Sequence, residues 1–346
     1  MAFRFIKTIE MKKGIVLVAN LKSQWYSENL IYSIRKSGCT LPIRLIHFGG
    51  EKVNSEYILK EVEFLTVNDF PEEAKVFINN LRSVLTECPL GFLYRFLALF
   101  TDWDEFIYTD NDIVALMNWE RMFDFAPDYD LIHADTEYTT EGIHNYLLPE
   151  KVLEHFGKDS LNTAITAGHI LVRRGEKIIA DMNAAIEWFK QNPEIPKKHD
   201  QSLLHIASLI GNWKVLNLCK SPYNWLSSWS GDYANSLDLI HAIQGGYKQN
   251  TISYTMWYTN LTDDAKVAVD KETSPPGPYV PISHLHYSGR GRLGPESIDE
   301  LMYSSQTDKK RMMSLYKVQS ADLFYVTFIR HQSKRVKRKL KQLLKL

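Results

Sequence analysis

Cysteine is scarce: three residues in 346 (Cys39, Cys88 and Cys219), widely spaced and odd in number. That argues against a disulfide framework or a cysteine zinc site and makes a reducing, cytoplasmic setting the expectation. No run approaches the roughly 18 apolar residues that span a bilayer. The first ten residues carry Arg4 and Lys7 but no apolar stretch ending in small residues, so no secretion signal is read there. Net charge is also lacking, with 41 basic against 41 acidic residues. The balance conceals an asymmetry, because Arg330, Lys334, Arg335, Lys337, Arg338, Lys339, Lys341 and Lys345 fall in a final segment without acids. Setting these eight aside leaves 33 basic against 41 acidic residues and a body of formal charge −8. An acidic body excludes generic nucleic-acid binding, and no nucleic acid is expected as a partner.

What is present is a pattern of strands and helices. Gly14 to Ala19 is an unbroken apolar run of the kind buried on both faces of a parallel sheet. A helix follows over Ser27 to Lys36 and is ended by Gly38, and Ile43 to Phe48 reads as a second strand. This β-α-β spacing predicts a right-handed crossover and an α/β, Rossmann-like, mostly parallel sheet with flanking helices. Further strands are expected at Val62 to Val67, Asp104 to Tyr108, Leu131 to Ala134 and Ile165 to Val172. Helices are expected at Leu90 to Leu99, Lys177 to Lys190 and Gln201 to Ile210, and the proline-dense stretch Ser274 to Pro281 reads as a loop. One catalytic domain over residues 1–300, followed by a helical region over 301–346, is the simplest organisation. In the latter, Val336, Leu340 and Leu343/Leu344 form an apolar stripe on a basic amphipathic helix. Such a helix suits an anionic membrane surface, or equally the acidic face of the body or of a partner.

The acidic triplets carry the chemistry. Asp102-Trp-Asp104, Asp110-Asn-Asp112 and Asp128-Tyr-Asp130 are all D-x-D, and about one is expected by chance in a chain this long. Only the middle one directly follows an apolar strand, Phe106 to Tyr108; the others precede apolar runs, as turn residues do. Two carboxylates where a strand ends can face the crevice beyond the sheet, the usual ligand site of open α/β sheets. Hard oxygen donors there suit Mn²⁺ or Mg²⁺ and a diphosphate.

The segment Asp102-Trp-Asp-Glu-Phe-Ile-Tyr-Thr-Asp-Asn-Asp-Ile-Val-Ala-Leu116 resembles the D-x-D region of GT-A fold glycosyltransferases. It is most similar to the family of glycogenin and the bacterial lipopolysaccharide galactosyl- and glucosyltransferases (glycosyltransferase family 8). Tyr94-Arg95, Ile165 to Val172, His199-Asp200-Gln201 and His286-Tyr-Ser-Gly-Arg290 resemble further segments of that family in the same order. Thr166 stands where the family has asparagine, and His169 where it has a small apolar residue.

The resemblance implies a metal held by Asp110, Asp112 and His286, and a nucleotide sugar contacted by Ala19, Asn20, Tyr26, Arg95, Asp110, Asn111, Gly289 and Arg290. It also implies a reaction centre at Asp200 and Gln201. Alternatives stay open at several positions. His284 rivals His286, because alternation puts both on one face of an extended segment. Arg95 can pair with phosphate or with a carboxylate, Arg290 or Arg292 can meet the diphosphate, and Asp200 suits a helix N-cap. Trp25 and Tyr26 can stack on a base or pack the first helix.

The expected activity is metal-dependent transfer of a hexose from a nucleotide diphosphate sugar, UDP-linked, to a glycan or glycolipid hydroxyl, with retention. The enzyme would sit in the cytoplasm or at the inner face of a membrane. The rivals are a carbohydrate-binding or scaffold protein of the same fold, and a sugar-phosphate nucleotidyltransferase. The latter normally shows a glycine-rich loop after its first strand, and Ala19 to Gln24 contains no glycine.

Overall fold

The computed structural model describes residues 11–115, 117–135, 145–223, 225, 252–253, 279–280 and 283–286. The chain divides into two units, residues 1–292 and 293–346, and all described residues belong to the first.

Seven strands form the central sheet: β1 (Lys13–Ala19), β2 (Ile43–His47), β3 (Val62–Leu65), β4 (Glu105–Thr109), β6 (Leu131–His133), β7 (His169–Arg173) and β8 (Val215–Asn217). Their order is β3-β2-β1-β4-β7-β6-β8. The middles of β1 and β4 are apolar and β2 is mostly so, because both faces of the sheet are covered. On β1 the alternation is explicit: Ile15, Leu17 and Ala19 enter one core cluster, Val16 and Val18 the other. The first cluster is closed by α1 (Gln24–Lys36) and α2 (Glu56–Glu61), with Leu30, Ile31 and Ile34 fully buried. Truncating one of these to alanine would cost about 2–5 kcal/mol. The opposite face is covered by α3 (Glu72–Val84), α4 (Leu90–Tyr94), α5 (Pro149–Phe156), α6 (Glu176–Gln191) and α7 (Asp200–Gly211). Gly38 ends α1 at φ +86°, a left-handed conformation that glycine adopts without penalty.

Within the seven-stranded sheet only β7 runs antiparallel to its neighbours. It therefore starts where β4 ends, with Thr109 opposite His169. A small annex completes that edge: β5 (Ile113–Ala115) pairs antiparallel with β11 (His284–His286), placing His286 opposite Ile113. Trp119, fully buried, donates its indole N–H to the Ser283 carbonyl at 3.0 Å and fastens β11 to the body.

Four elements differ from expectation. The strand expected at Ile165 begins only at His169, opposite Thr109 at the end of β4. The helix expected over Leu90 to Leu99 is α only to Tyr94 and continues as 3₁₀ over Arg95–Phe100. Gly91 weakens its start, and Arg95 to Leu99 are all buried, so packing rather than helical periodicity sets their conformation. The third strand stops at Leu65, where Thr66 and Asp69 cap a 3₁₀ turn. In the proline-dense stretch, Tyr279–Val280 (β10) pairs with Ile252–Ser253 (β9), and the remainder lies outside the described residues.

Candidate active site

The exit of β4 carries Asp110, Asn111 and Asp112. Asn111 is turned into the scaffold: its amide donates to the Val18 carbonyl at 2.7 Å and its oxygen accepts from Ser27 Oγ at 3.2 Å. That clamp ties the ends of β1 and β4 together. Asp110 is fixed twice, because its N–H donates to the Gly168 carbonyl at 2.7 Å while Oδ1 accepts from Tyr108 Oη at 2.6 Å and Arg95 Nη2 at 3.0 Å. The backbone of residues 167–168, unpaired in the sheet, supplies these acceptors: Ala167 O takes a hydrogen bond from Arg95 Nη1 at 2.8 Å.

Arg95 is 4% exposed, so a surface helix arginine is excluded, and its guanidinium faces carboxylates. Besides Asp110 it meets Asp200 Oδ2 at 2.7 Å, an ion pair lying off the N–H axis rather than an aligned hydrogen bond. The two carboxylates respond in opposite directions. Burial, reinforced by neighbouring Asp112, holds Asp110 above the usual carboxylate range despite Arg95. Burial would also raise Asp200, but Arg95 and His199 outweigh it and bring Asp200 down to about 2. Removing Arg95 would strand buried charge at a cost of about 3–5 kcal/mol.

Asp200 is 1% exposed and occupies the first position of α7, not its cap. The cap is His199, whose Nδ1 accepts from the Gln201 N–H at 3.2 Å. Asp200 lies within ion-pair distance of Arg95 and beside the His199 ring, with Oδ1 2.8 Å from His199 Nδ1. Gln201, beside it, is half-buried.

His286 reaches the same point from β11. Its Nε2 lies 3.4 Å from Asp112 Oδ1, and its Nδ1 lies 3.6 Å from Asp135 Oδ2. Burial would discharge this imidazole, but Asp112 and then Asp135 override it and hold it well above the ordinary histidine range. Asp112 is correspondingly lowered: burial raises it, and His286 more than compensates. The rival, His284, is fully buried among Trp119 and His169, with ring centroids 6.4 and 4.2 Å away. Burial keeps His284 neutral and brings His169 down to about 3. Among the described residues His284 is not in the group that could hold a metal ion, whereas His286 is.

Ligand atoms of Asp110, Asp112 and His286 lie within 4.8 Å of one another. The fit to a divalent cation rests on charge and space. Asp110 and Asp200 face the Arg95 guanidinium, Asp112 and Asp135 face the His286 ring, and Nδ1 of His286 is buried without a hydrogen-bond partner. Two carboxylates and an imidazole suit Mn²⁺ or Mg²⁺. Gly168 makes the room: a Cβ there would sit 2.6 Å from His286 Cε1 and 3.3 Å from Asp110 Oδ2.

On the donor side, Ala19 is buried and its carbonyl accepts from the Phe48 N–H at 3.4 Å. Asn20 caps the following 3₁₀ turn and donates to Phe48 O and Gly49 O at 3.4 and 3.3 Å. Both groups expected to read a base are thereby engaged in the scaffold. Tyr26 is half-buried and its ring lies edge-on to that of Trp25 at 4.9 Å. Gly289, Arg290, Arg292 and the basic tail lie outside the described residues. Sequence reasoning missed Asp135 and Tyr108. Asp135 carried a readable signal, since it too is an acid directly after an apolar strand, β6.

Comparison with solved structures places this architecture. The WbbM bifunctional glycosyltransferase matches with a TM-score of 0.53 at 13% identity, over 90% of this chain and 52% of that one. This is the GT-A glycosyltransferase fold. The GT-A chain here spans about half the length of that relative. The galactosyltransferase LgtC, in complex with donor and acceptor sugar analogues, matches at 16% identity and TM-score 0.43, over 88% of this chain and 95% of that one. GlyE from Streptococcus pneumoniae matches at 12% identity and TM-score 0.44, over 90% and 64%. Residues 12–130 match the family model described as "Mannosyltransferase putative". No curated protein matches the sequence.

Proposed function

We propose that this GT-A protein is a metal-dependent glycosyltransferase that moves a hexose from a nucleotide diphosphate sugar, UDP-linked, to a hydroxyl of a glycan or glycolipid. The observation carrying the reading is the convergence of Asp110, Asp112 and His286 at the exit of β4. These three residues would hold Mn²⁺ or Mg²⁺, which when bound supplies the positive charge that a diphosphate leaving group needs. Arg95 and Tyr108 keep Asp110 aimed, and Asn111 locks the turn. Gly289 and Arg290, close in sequence to His286, are assigned to the diphosphate. Asp200 acts through Arg95, which leaves the Gln201 amide to stabilise the reacting sugar. Transfer with retention is carried over from the family-8 resemblance.

The test is a thermal-shift panel of UDP, GDP, CDP and ADP, each with and without Mn²⁺. A ligand that binds only the native state raises the melting temperature by mass action. One nucleotide is expected to do so, only with Mn²⁺, and UDP is the base proposed; a shift by GDP would redirect the donor towards the mannosyl class of the matching family model. No shift from any nucleotide would overturn the reading in favour of a carbohydrate-binding protein.

No helix among the described residues is long and apolar enough to cross a membrane. We further propose that residues 301–346 form an appendage whose basic, apolar-striped end attaches the enzyme to anionic lipid at the inner face of a membrane. Deleting residues 330–346 should abolish sedimentation with anionic vesicles; unchanged sedimentation refutes the attachment.

A further inference from the structure

The imidazole of His286 lies between two carboxylates that face its two nitrogens. Asp112 is near Nε2 and Asp135 near Nδ1, at 3.4 and 3.6 Å. The two acids differ in setting. The side chain of Asp112 is 34% exposed and joins Asp110 in the donor group, whereas Asp135 is 2% exposed and lies outside that group. The backbone of Asp135 is held by the adjacent strand, where Asn217 Nδ2 donates to its carbonyl at 3.2 Å. Asn217 is itself in register with His133, two residues before Asp135. Gly168, without a Cβ, leaves room for the ring: a Cβ there would lie 2.6 Å from Cε1 and 3.0 Å from Nδ1 of His286.

A neutral imidazole carries one N–H, and only the other nitrogen has a lone pair for a metal. A ring with both tautomers open would present the wrong nitrogen part of the time. A buried acceptor on one side removes that ambiguity, and loss of such an acceptor typically weakens metal binding 10–100-fold. We propose that Asp135 is a positioning residue which accepts the Nδ1–H of His286 and thereby presents Nε2, on the Asp112 side, to a divalent cation. This rests on the metal reading above. The present 3.6 Å is an ion-pair distance, and a shift of about half an ångström brings it to hydrogen-bond length.

Two measurements test it. Mn²⁺ binding to the full chain is followed by the loss of the free-ion electron paramagnetic resonance signal, for the unsubstituted protein and for Asp135→Asn. The asparagine keeps the volume, but its amide can donate to Nδ1 and so favour the opposite tautomer. A 10–100-fold weaker Mn²⁺ affinity is expected. Independently, ¹⁵N NMR of the histidine rings in the Mg²⁺-saturated, unsubstituted protein should show the His286 proton on Nδ1, and this needs no variant to fold. A proton on Nε2, or Asp135→Asn affinity equal to that of the unsubstituted protein, overturns the inference while leaving the metal site standing. Absence of Mn²⁺ binding by the unsubstituted protein would instead overturn the metal reading, and this inference with it.

Discussion

Strand β4 has an aspartate pair at each end, and the two pairs live in opposite surroundings. At the entry, Asp102 is met by Lys12 Nζ at 2.9 Å and Arg44 Nη1 at 2.6 Å, and Asp104 accepts the Lys12 N–H at 2.8 Å. Each acid there has a fixed partner, and Asp102 is more than half exposed. At the exit, Asp110 and Asp112 share their space with Asp135 and Asp200, and Arg95 with His286 supplies the positive charge. The same three-letter pattern is therefore a tied-down surface turn at one end and part of a buried acidic cluster at the other.

The largest separation should come from disabling each pair in turn. Asp110→Ala with Asp112→Ala is expected to weaken Mn²⁺-dependent nucleotide binding at least about 100-fold, the several kcal/mol that a cation contributes to holding a diphosphate. Asp102→Asn with Asp104→Asn should leave that binding within about two-fold and cost the fold about 1 kcal/mol or less. Isothermal calorimetry on both double variants decides it, and equal losses would erase the distinction.

Two glycines sharpen the contrast at a smaller scale. A Cβ on Gly14, on β1 beside the strand entry, would collide with the Trp103 ring, while one on Gly168 would press on His286 and Asp110. Gly14→Ala should lower stability by about 1–3 kcal/mol in urea melts and leave Mn²⁺ affinity alone. Gly168→Ala should lower Mn²⁺ affinity about 10-fold, as expected when a ligand's support is displaced. A Gly168→Ala protein with normal Mn²⁺ affinity would place the metal elsewhere.

The smallest effect distinguishes two aspartates brought to about 2 by different means. Asp102 is lowered by hydrogen bonds from Lys12 and Arg44 at the surface; Asp200 is lowered against its burial by Arg95 and His199. Because both folded values are depressed, their stabilisation is present above about pH 4, the unfolded value, and is lost as pH falls towards 2. In 0.5 M salt Asp102 should drift back towards its ordinary value and Asp200 should stay. Carboxyl ¹³C titrations at low and high salt would show it; parallel drift of both would mean that water reaches Arg95.

The sequence carried the scaffold well because burial writes itself into composition: β1 and β4 have apolar middles, β2 is mostly apolar, and Gly38 marks the end of α1. It carried Asp110 and Asp112 because an acid pair after such a strand is conspicuous. It did not carry the antiparallel sense of β7, since strand direction leaves no local signature. With that went the role of Ala167 and Gly168, whose carbonyls serve Arg95 and Asp110 only because β7 arrives from the opposite side. Arg95 was visible as a residue and ambiguous in its partner, which lies across the sheet. Asp135 was overlooked because it stands alone after β6, and single acids at strand ends are common.

The pairing of β5 with β11 also has a consequence for the order of events during synthesis. All seven strands of the central sheet have been made once Asn217 has left the ribosome, whereas His286 follows 69 residues later. Until then Asp110 and Asp112 have no imidazole beside them. The nascent chain would hold all the strands of its central sheet well before His286 can join Asp110 and Asp112.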